Sequence, residues 1–168
     1  MGFLDAVYPW LVFFHLFGVF VFLLAHGVSA GVSFRLRKER NPERLRALLD
    51  LSRSSYTVMI IGFLWILATG SILGVLGGRW RQAWFWVALV ALFAITGAMT
   101  PLVATKYNKV RRALGLRVPY QSKRDRSAPP PAETEIDSIL SKAHPIAVAA
   151  IGIGGIAFIL WLMMFKPF

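Results

Sequence analysis

Four long apolar stretches, separated by polar and mostly basic ones, organise the chain. They run over about 9–34, 56–76, 84–105 and 146–165, and none contains Asp, Glu, Lys or Arg. Each is roughly 20 residues or longer, enough for a helix to cross a hydrocarbon core about 30 Å thick at 1.5 Å per residue. The pattern predicts an all-α integral membrane four-helix bundle, one domain over residues 1–168. Two polar regions, 35–55 and 106–145, join the spans, and each is expected to carry a short interfacial helix. In the first, Asn41-Pro42-Glu43 reads as an N-cap, a first-turn proline and a first-turn acid, and Leu45, Leu48 and Leu49 follow on one face. Its basic opposite face is expected to lie along lipid headgroups. In the second, a basic stretch over 106–126 leads to a stiff Ser-Ala-Pro-Pro-Pro-Ala spacer at 127–132. Thr134 and Asp137 then form a capping-box pattern, and His144-Pro145 ends that helix and opens the last span.

Charge sets the orientation. Seven Lys and Arg residues lie between the first two spans, nine lie between the last two, and only Arg79, Arg81 and Lys166 lie on the other side. The positive-inside rule then places both termini outside and the two basic regions in the cytoplasm. Trp10, Trp80, Trp84, Trp86 and Trp161 fall near the outer boundary, where indoles favour the headgroup layer. The net charge of +11 is therefore assigned to anionic lipid headgroups rather than to nucleic acid. The hydrophobic fraction of 57% exceeds the 45–50% typical of soluble domains. The start Met1-Gly2-Phe3-Leu4-Asp5-Ala6 fits neither a cleavable signal nor a myristoylation site. The expected location is a bacterial inner membrane.

Lipid tails are as apolar as leucine, so small residues that allow close approach drive helix association. Gly27/Gly31 and Gly70/Gly74 form GxxxG pairs, and Ala143, Ala147, Ala150, Gly154 and Ala157 recur along the last span. These stripes predict packing within the bundle. Alternatively one of them, foremost Gly27/Gly31, joins two copies.

With no cysteine present, thiolate sites are excluded and the histidines become the candidate ligands. No hydrolase, phosphate-loop or dinucleotide motif appears, so the reading favours a non-enzyme. His15 and His26 lie inside the first span. Eleven residues turn only about 20° past three full turns, which puts both on one face about 16.5 Å apart. Intramembrane ionisable groups are costly and point to function. One metal ion cannot bridge that distance, but two stacked cofactors can use it. Gly18, Phe22 and Ser29 share the face, and a small residue beside a ligand leaves room for a flat macrocycle. The other reading is an imidazole hydrogen-bonded to a hydroxyl in the bundle, with Thr57, Thr69, Ser71, Thr96 and Thr100 available. His144 sits too near the interface to pair with His26, about 13 Å deeper than Arg35; a His26 pair across a dimer axis remains open. Met59, Met99 and Met163-Met164 suit copper(I) by their sulfur, with core packing the better reading.

The stretch His15-Leu16-Phe17-Gly18, continuing through Gly27 and Gly31 to Phe34-Arg35-Leu36-Arg37, resembles the first helix of a group of bacterial membrane proteins of unknown function. The basic-leucine loop, the Gly70 region, Trp84/Trp86 and the closing Trp161–Phe168 segment share that likeness. The group in turn is similar to CopD copper-resistance proteins and HemJ-type protoporphyrinogen oxidases. The resemblance implies a four-helix bundle whose first-helix histidine, His15 here, faces a haem or copper site. No span carries a lysine, which departs from the HemJ pattern. The specific expectation is b-type haem, with copper as the weaker alternative, bound at His15 and His26 beside Gly18 and Phe22 for membrane electron transfer. The other expectation is a non-catalytic accessory subunit of a larger membrane complex or homo-oligomer.

Overall fold

The computed structural model describes residues 3–99, 102–103, 105–118 and 132–168, and among these it is helical with no strand. The helices are α1 (Phe3–Lys38), α2 (Pro42–Leu76), α3 (Ala83–Met99), α4 (Thr105–Ala113), α5 (Ile136–Ser141) and α6 (Pro145–Phe165). Three of them, α1, α2 and α6, are long and apolar enough to cross a membrane. Aromatic side chains such as Trp10, Phe13, Phe17 and Phe20 stand exposed along α1, a surface suited to lipid. These features mark a multi-pass membrane protein. Of the third predicted span, 84–105, α3 covers Ala83–Met99, 17 residues or about 26 Å. Thr100 and the spacer residues 127–131 lie outside the described residues.

The expected loop over 35–55 is instead almost entirely helix. α1 continues to Lys38, and α2 begins at Pro42 and runs unbroken for 35 residues, about 52 Å. No glycine or proline interrupts the polar stretch from Asp50 to Thr57. The hydroxyls of Ser54, Ser55 and Thr57 donate to the carbonyls of Asp50, Leu51 and Arg53, four residues back, so the polar side chains bond within the helix. Only Glu39–Asn41 forms the turn. Asn41 caps α2 as its sequence predicts, its Oδ1 accepting from the Glu43 and Arg44 amides at 3.0 and 3.1 Å. The Glu39 carboxylate accepts from the Arg40 and Asn41 amides, both at 2.9 Å, and these bonds hold its pKa below the ordinary carboxylate range.

α1 and α2 pack as an antiparallel hairpin. Phe22 meets Gly62, Gly18 meets Trp65, and His15 meets Thr69 and Gly70, so one helix rises as the other descends at equal pace. Beyond His26 the hairpin carries a small polar-end core in which Leu36, Leu45 and Leu49 are buried against Tyr107, Val110 and Leu140. The Leu45/Leu49 face therefore packs on α4 and α5, and the stretch that carries it is the first part of α2 rather than a separate short helix. α5 also starts differently from its expectation. Its N-cap is Glu135, without a side-chain cap bond, so Thr134 and Asp137 form no capping box. Asp137 instead pairs with Arg40 at 2.7 Å, tying α5 to the α1–α2 turn. Pro145 opens α6 at its first turn, as predicted.

At the tryptophan end, α2 turns into α3 through Gly78, whose φ of +63° suits glycine, and a single 3-10 turn at Arg79–Arg81. α3 packs on α6 through Trp84, Ala88, Ile159 and Leu162.

Candidate functional site

The packing glycines divide sharply. A Cβ on Gly74 would come 2.7 Å from Phe85, and one on Gly70 would come 3.1 Å from the His15 ring, so both make room for an aromatic side chain. Gly27, Gly31 and Gly154 have nothing within 4 Å of such an atom and line open surface. The contacts expected of Gly154 fall to its neighbours: Gly152 takes His26, and Gly155 takes Ile95. Gly18 makes room for an indole: a Cβ there would lie 2.5 Å from Trp65 Cδ1. Trp65 Nε1 also donates to the Phe14 carbonyl at 2.9 Å, so the space beside Gly18 is filled by protein.

His15 and His26 are both buried, 6% and 3% exposed, and their surroundings separate their roles. His15 Nδ1 lies 2.9 Å from Thr69 Oγ1. That hydroxyl donates to the Trp65 carbonyl at 2.7 Å. A hydroxyl has one proton, so once Thr69 has given it to Trp65 it accepts from His15 Nδ1–H. The Nε2 of His15 then carries the lone pair. His15 borders a small, almost wholly apolar cavity of about 70 Å³ with Ser71, Trp84 and Met163.

His26 has no such partner. Its Nε2 is buried without a hydrogen bond. The tip of its ring occupies the notch that Gly152 leaves in α6, where a Cβ would overlap Nε2. A buried unsatisfied ring nitrogen costs about 1–3 kcal/mol, so the position calls for an explanation beyond packing. Beside it lies a cavity of about 270 Å³, near the lower edge of the roughly 300–1,000 Å³ usual for ligand sites. The cavity of His15 is far below that range. Phe22 and Ile156 line both cavities and form the wall between them, so the two same-face histidines look into separate spaces.

The larger cavity collects residues the sequence did not connect. Met59 from α2 and Met99 from α3 line it together with His26. Arg53, Tyr56, Asn108 and Arg111 line its polar end, and among the described residues no Asp or Glu does. Arg111, counted in the sequence as one more loop cation, is 4% exposed, and its Nη2 donates to the Leu49 carbonyl. Burial lowers its pKa and nearby Asp50 raises it; a guanidinium keeps its charge through such shifts. Tyr107, also on α4, has its pKa raised by burial, with a Ser33 hydrogen bond acting the other way. His144 is exposed at the N-cap of α6 and takes no part.

The cavity brings together donor types of the kind haem sites use: an imidazole whose Nε2, seated in the Gly152 notch, lacks a partner, two thioethers on other walls, and two guanidiniums at the polar end. A copper site built from carboxylates and histidines has no support: among the described residues no group of three or more His, Cys, Asp or Glu converges. His26 with Met59 and Met99 is one set with copper(I) character, and His15 with Met163 on the smaller cavity is a second, with one thioether. No protein-family model matches the chain, and no curated protein or solved structure does either.

Proposed function

We propose that this chain is a four-span protein of a bacterial cytoplasmic membrane, with both termini outside, that holds one b-type haem beside His26 for electron transfer. The topology rests on the three long apolar helices, the apolar α3 as fourth span, and the concentration of Lys and Arg at the polar end. The haem reading rests on one observation above the others: His26 lines a cavity of about 270 Å³ while its buried Nε2 has no hydrogen-bond partner, and the ring would turn out of the Gly152 notch to present that nitrogen to a ligand. His26 would supply the imidazole ligand and Met59 or Met99 the thioether. Phe22, Ile156 and the neighbouring apolar walls would keep water from the iron. Bound haem would supply one-electron chemistry, with its potential set by the axial pair and by burial. His15, held by Thr69 and packed against Gly70, joins α1 to α2.

The test is an absorption spectrum, oxidised and dithionite-reduced, of protein purified in mild detergent after expression with haem supplied. A Soret band with sharp reduced α and β bands, lost in His26→Ala and kept in His15→Ala, is expected. A flat spectrum together with no copper by elemental analysis would end both cofactor readings.

A second reading has its own observation. Gly27 and Gly31 on α1, and Ala150, Gly154 and Ala157 on α6, face outward with their small side chains exposed. Such stripes suit helix association, so a homo-oligomer or an accessory role in a larger membrane complex is the alternative. Loss of a dimer, or of a co-purifying subunit, in Gly27→Leu would support it.

A further inference from the structure

We infer that Arg111 and Arg53 form an anion clamp at the polar end of the His26 cavity, and that the cavity's ligand carries one or more carboxylates on an apolar body. The inference deepens the haem reading, since it names the chemistry of the ligand's outer edge, but it makes no use of iron.

Three features carry it. First, the cavity is chemically graded. Its inner walls are Phe22, Met59, Ile95 and Ile156, while the arginines, Asn108 and Tyr56 line the other part. A ligand matching such walls is apolar at one end and polar at the other. Second, the charged side chains lining the cavity among the described residues, Arg53 and Arg111, have the same sign, and the acid acting on Arg111, Asp50, stands outside the lining. An anion on the ligand lowers the energy of that arrangement, and a cation raises it. Third, Arg111 is prepared rather than merely present. It projects from α4, is 96% buried, and is fixed by its bond to the Leu49 carbonyl. A guanidinium has five N–H donors in a rigid fork. The Leu49 bond uses Nη2, and Arg111 lines the cavity with a planar fork of the kind that suits a carboxylate. Arg53, one turn of α2 beyond Leu49, is exposed and adds a second charge from the other wall.

The experiment titrates purified protein in detergent with two probe pairs. One is haem b against its dimethyl ester, which keeps the iron and macrocycle and loses both carboxylates. The other is dodecanoate against dodecanol, read by calorimetry. The expected result is that haem b binds at least ten-fold tighter than its ester, and that Arg53→Gln and Arg111→Gln each shrink that ratio. Arg111→Lys guards against misfolding: it keeps the charge but loses the fork, and should retain part of the preference. Equal affinity for haem b and its ester would overturn the clamp and leave the haem reading standing. Failure of both haems to bind, with dodecanoate still preferred over dodecanol in an arginine-dependent way, would uphold the clamp and end the haem reading. Indifference to charge in both pairs would overturn the clamp outright.

Discussion

Replacing Gly152 by alanine tests the central contact of the site. The added methyl group would overlap His26 Nε2 and Cε1, on a helix backbone that cannot easily retreat. The imidazole must then leave its notch and turn toward the cavity. Overpacking of this kind costs about 1–3 kcal/mol. Alanine recovers about 0.5–1 kcal/mol relative to glycine inside a helix. The net expectation is a loss of about 0.5–2 kcal/mol, or roughly 2- to 30-fold in the folded-to-unfolded ratio at 1.4 kcal/mol per decade. In a His26→Ala background the obstruction is gone, and only the propensity gain remains. Gly152→Ala should therefore stabilise that variant by about 0.5–1 kcal/mol. The change of sign is a coupling of about 1–3 kcal/mol between the two positions, within the range seen for residues in contact. Reversible unfolding by sodium dodecyl sulfate in mixed micelles, followed by tryptophan fluorescence, measures all four corners of the cycle. If Gly152→Ala shifts stability by the same amount with and without His26, the notch does not hold the imidazole and the reasoning fails.

The other predictions use the same assay. Thr69→Val should cost about 1–2 kcal/mol by removing the partner of His15 Nδ1, and Thr69→Ser should restore most of it; equal losses would refute the hydroxyl's role. Gly18→Ala should cost about 1–3 kcal/mol against Trp65, whereas Gly27→Leu and Gly31→Leu should stay within about 0.5 kcal/mol in the monomer. Glu39, with its pKa lowered in the fold, contributes stability above the ordinary carboxylate range that fades as pH falls through the lowered value; Glu39→Gln should flatten that acid limb. Tyr107, with its pKa raised by burial, acts in the opposite sense: its stabilisation is complete below the ordinary tyrosine range and lost as pH rises, and Tyr107→Phe should flatten the alkaline limb.

Much of this architecture can be read along the chain. Apolar run length marks the long helices because a bilayer imposes it, and Asn41-Pro42-Glu43 marks the start of α2 because capping is local chemistry. The shared face of His15 and His26 follows from helical pitch alone. What pitch cannot supply is the other side of each contact. Thr69 was one hydroxyl among five candidates, and choosing it requires the register of α1 against α2. Gly152 stood beside the small-residue stripe of the last span without being singled out, and its partner lies on another helix 126 positions earlier. Arg111 looked like one cation in a basic loop because charge patterns do not show which cation folds inward. The length of α2 was hidden by the assumption that polar residues end a helix, whereas Ser54, Ser55 and Thr57 satisfy themselves within it. Met59 and Met99 converge on His26 only once α2 and α3 are placed around α1.

The Gly152 notch also sets an order of events during synthesis. His26 emerges early, and the wall that encloses it is translated 126 residues later. At about 5–20 residues per second the imidazole waits roughly 6–25 s before α6 closes over it. During that interval the histidine is accessible to anything in the nascent bundle's surroundings.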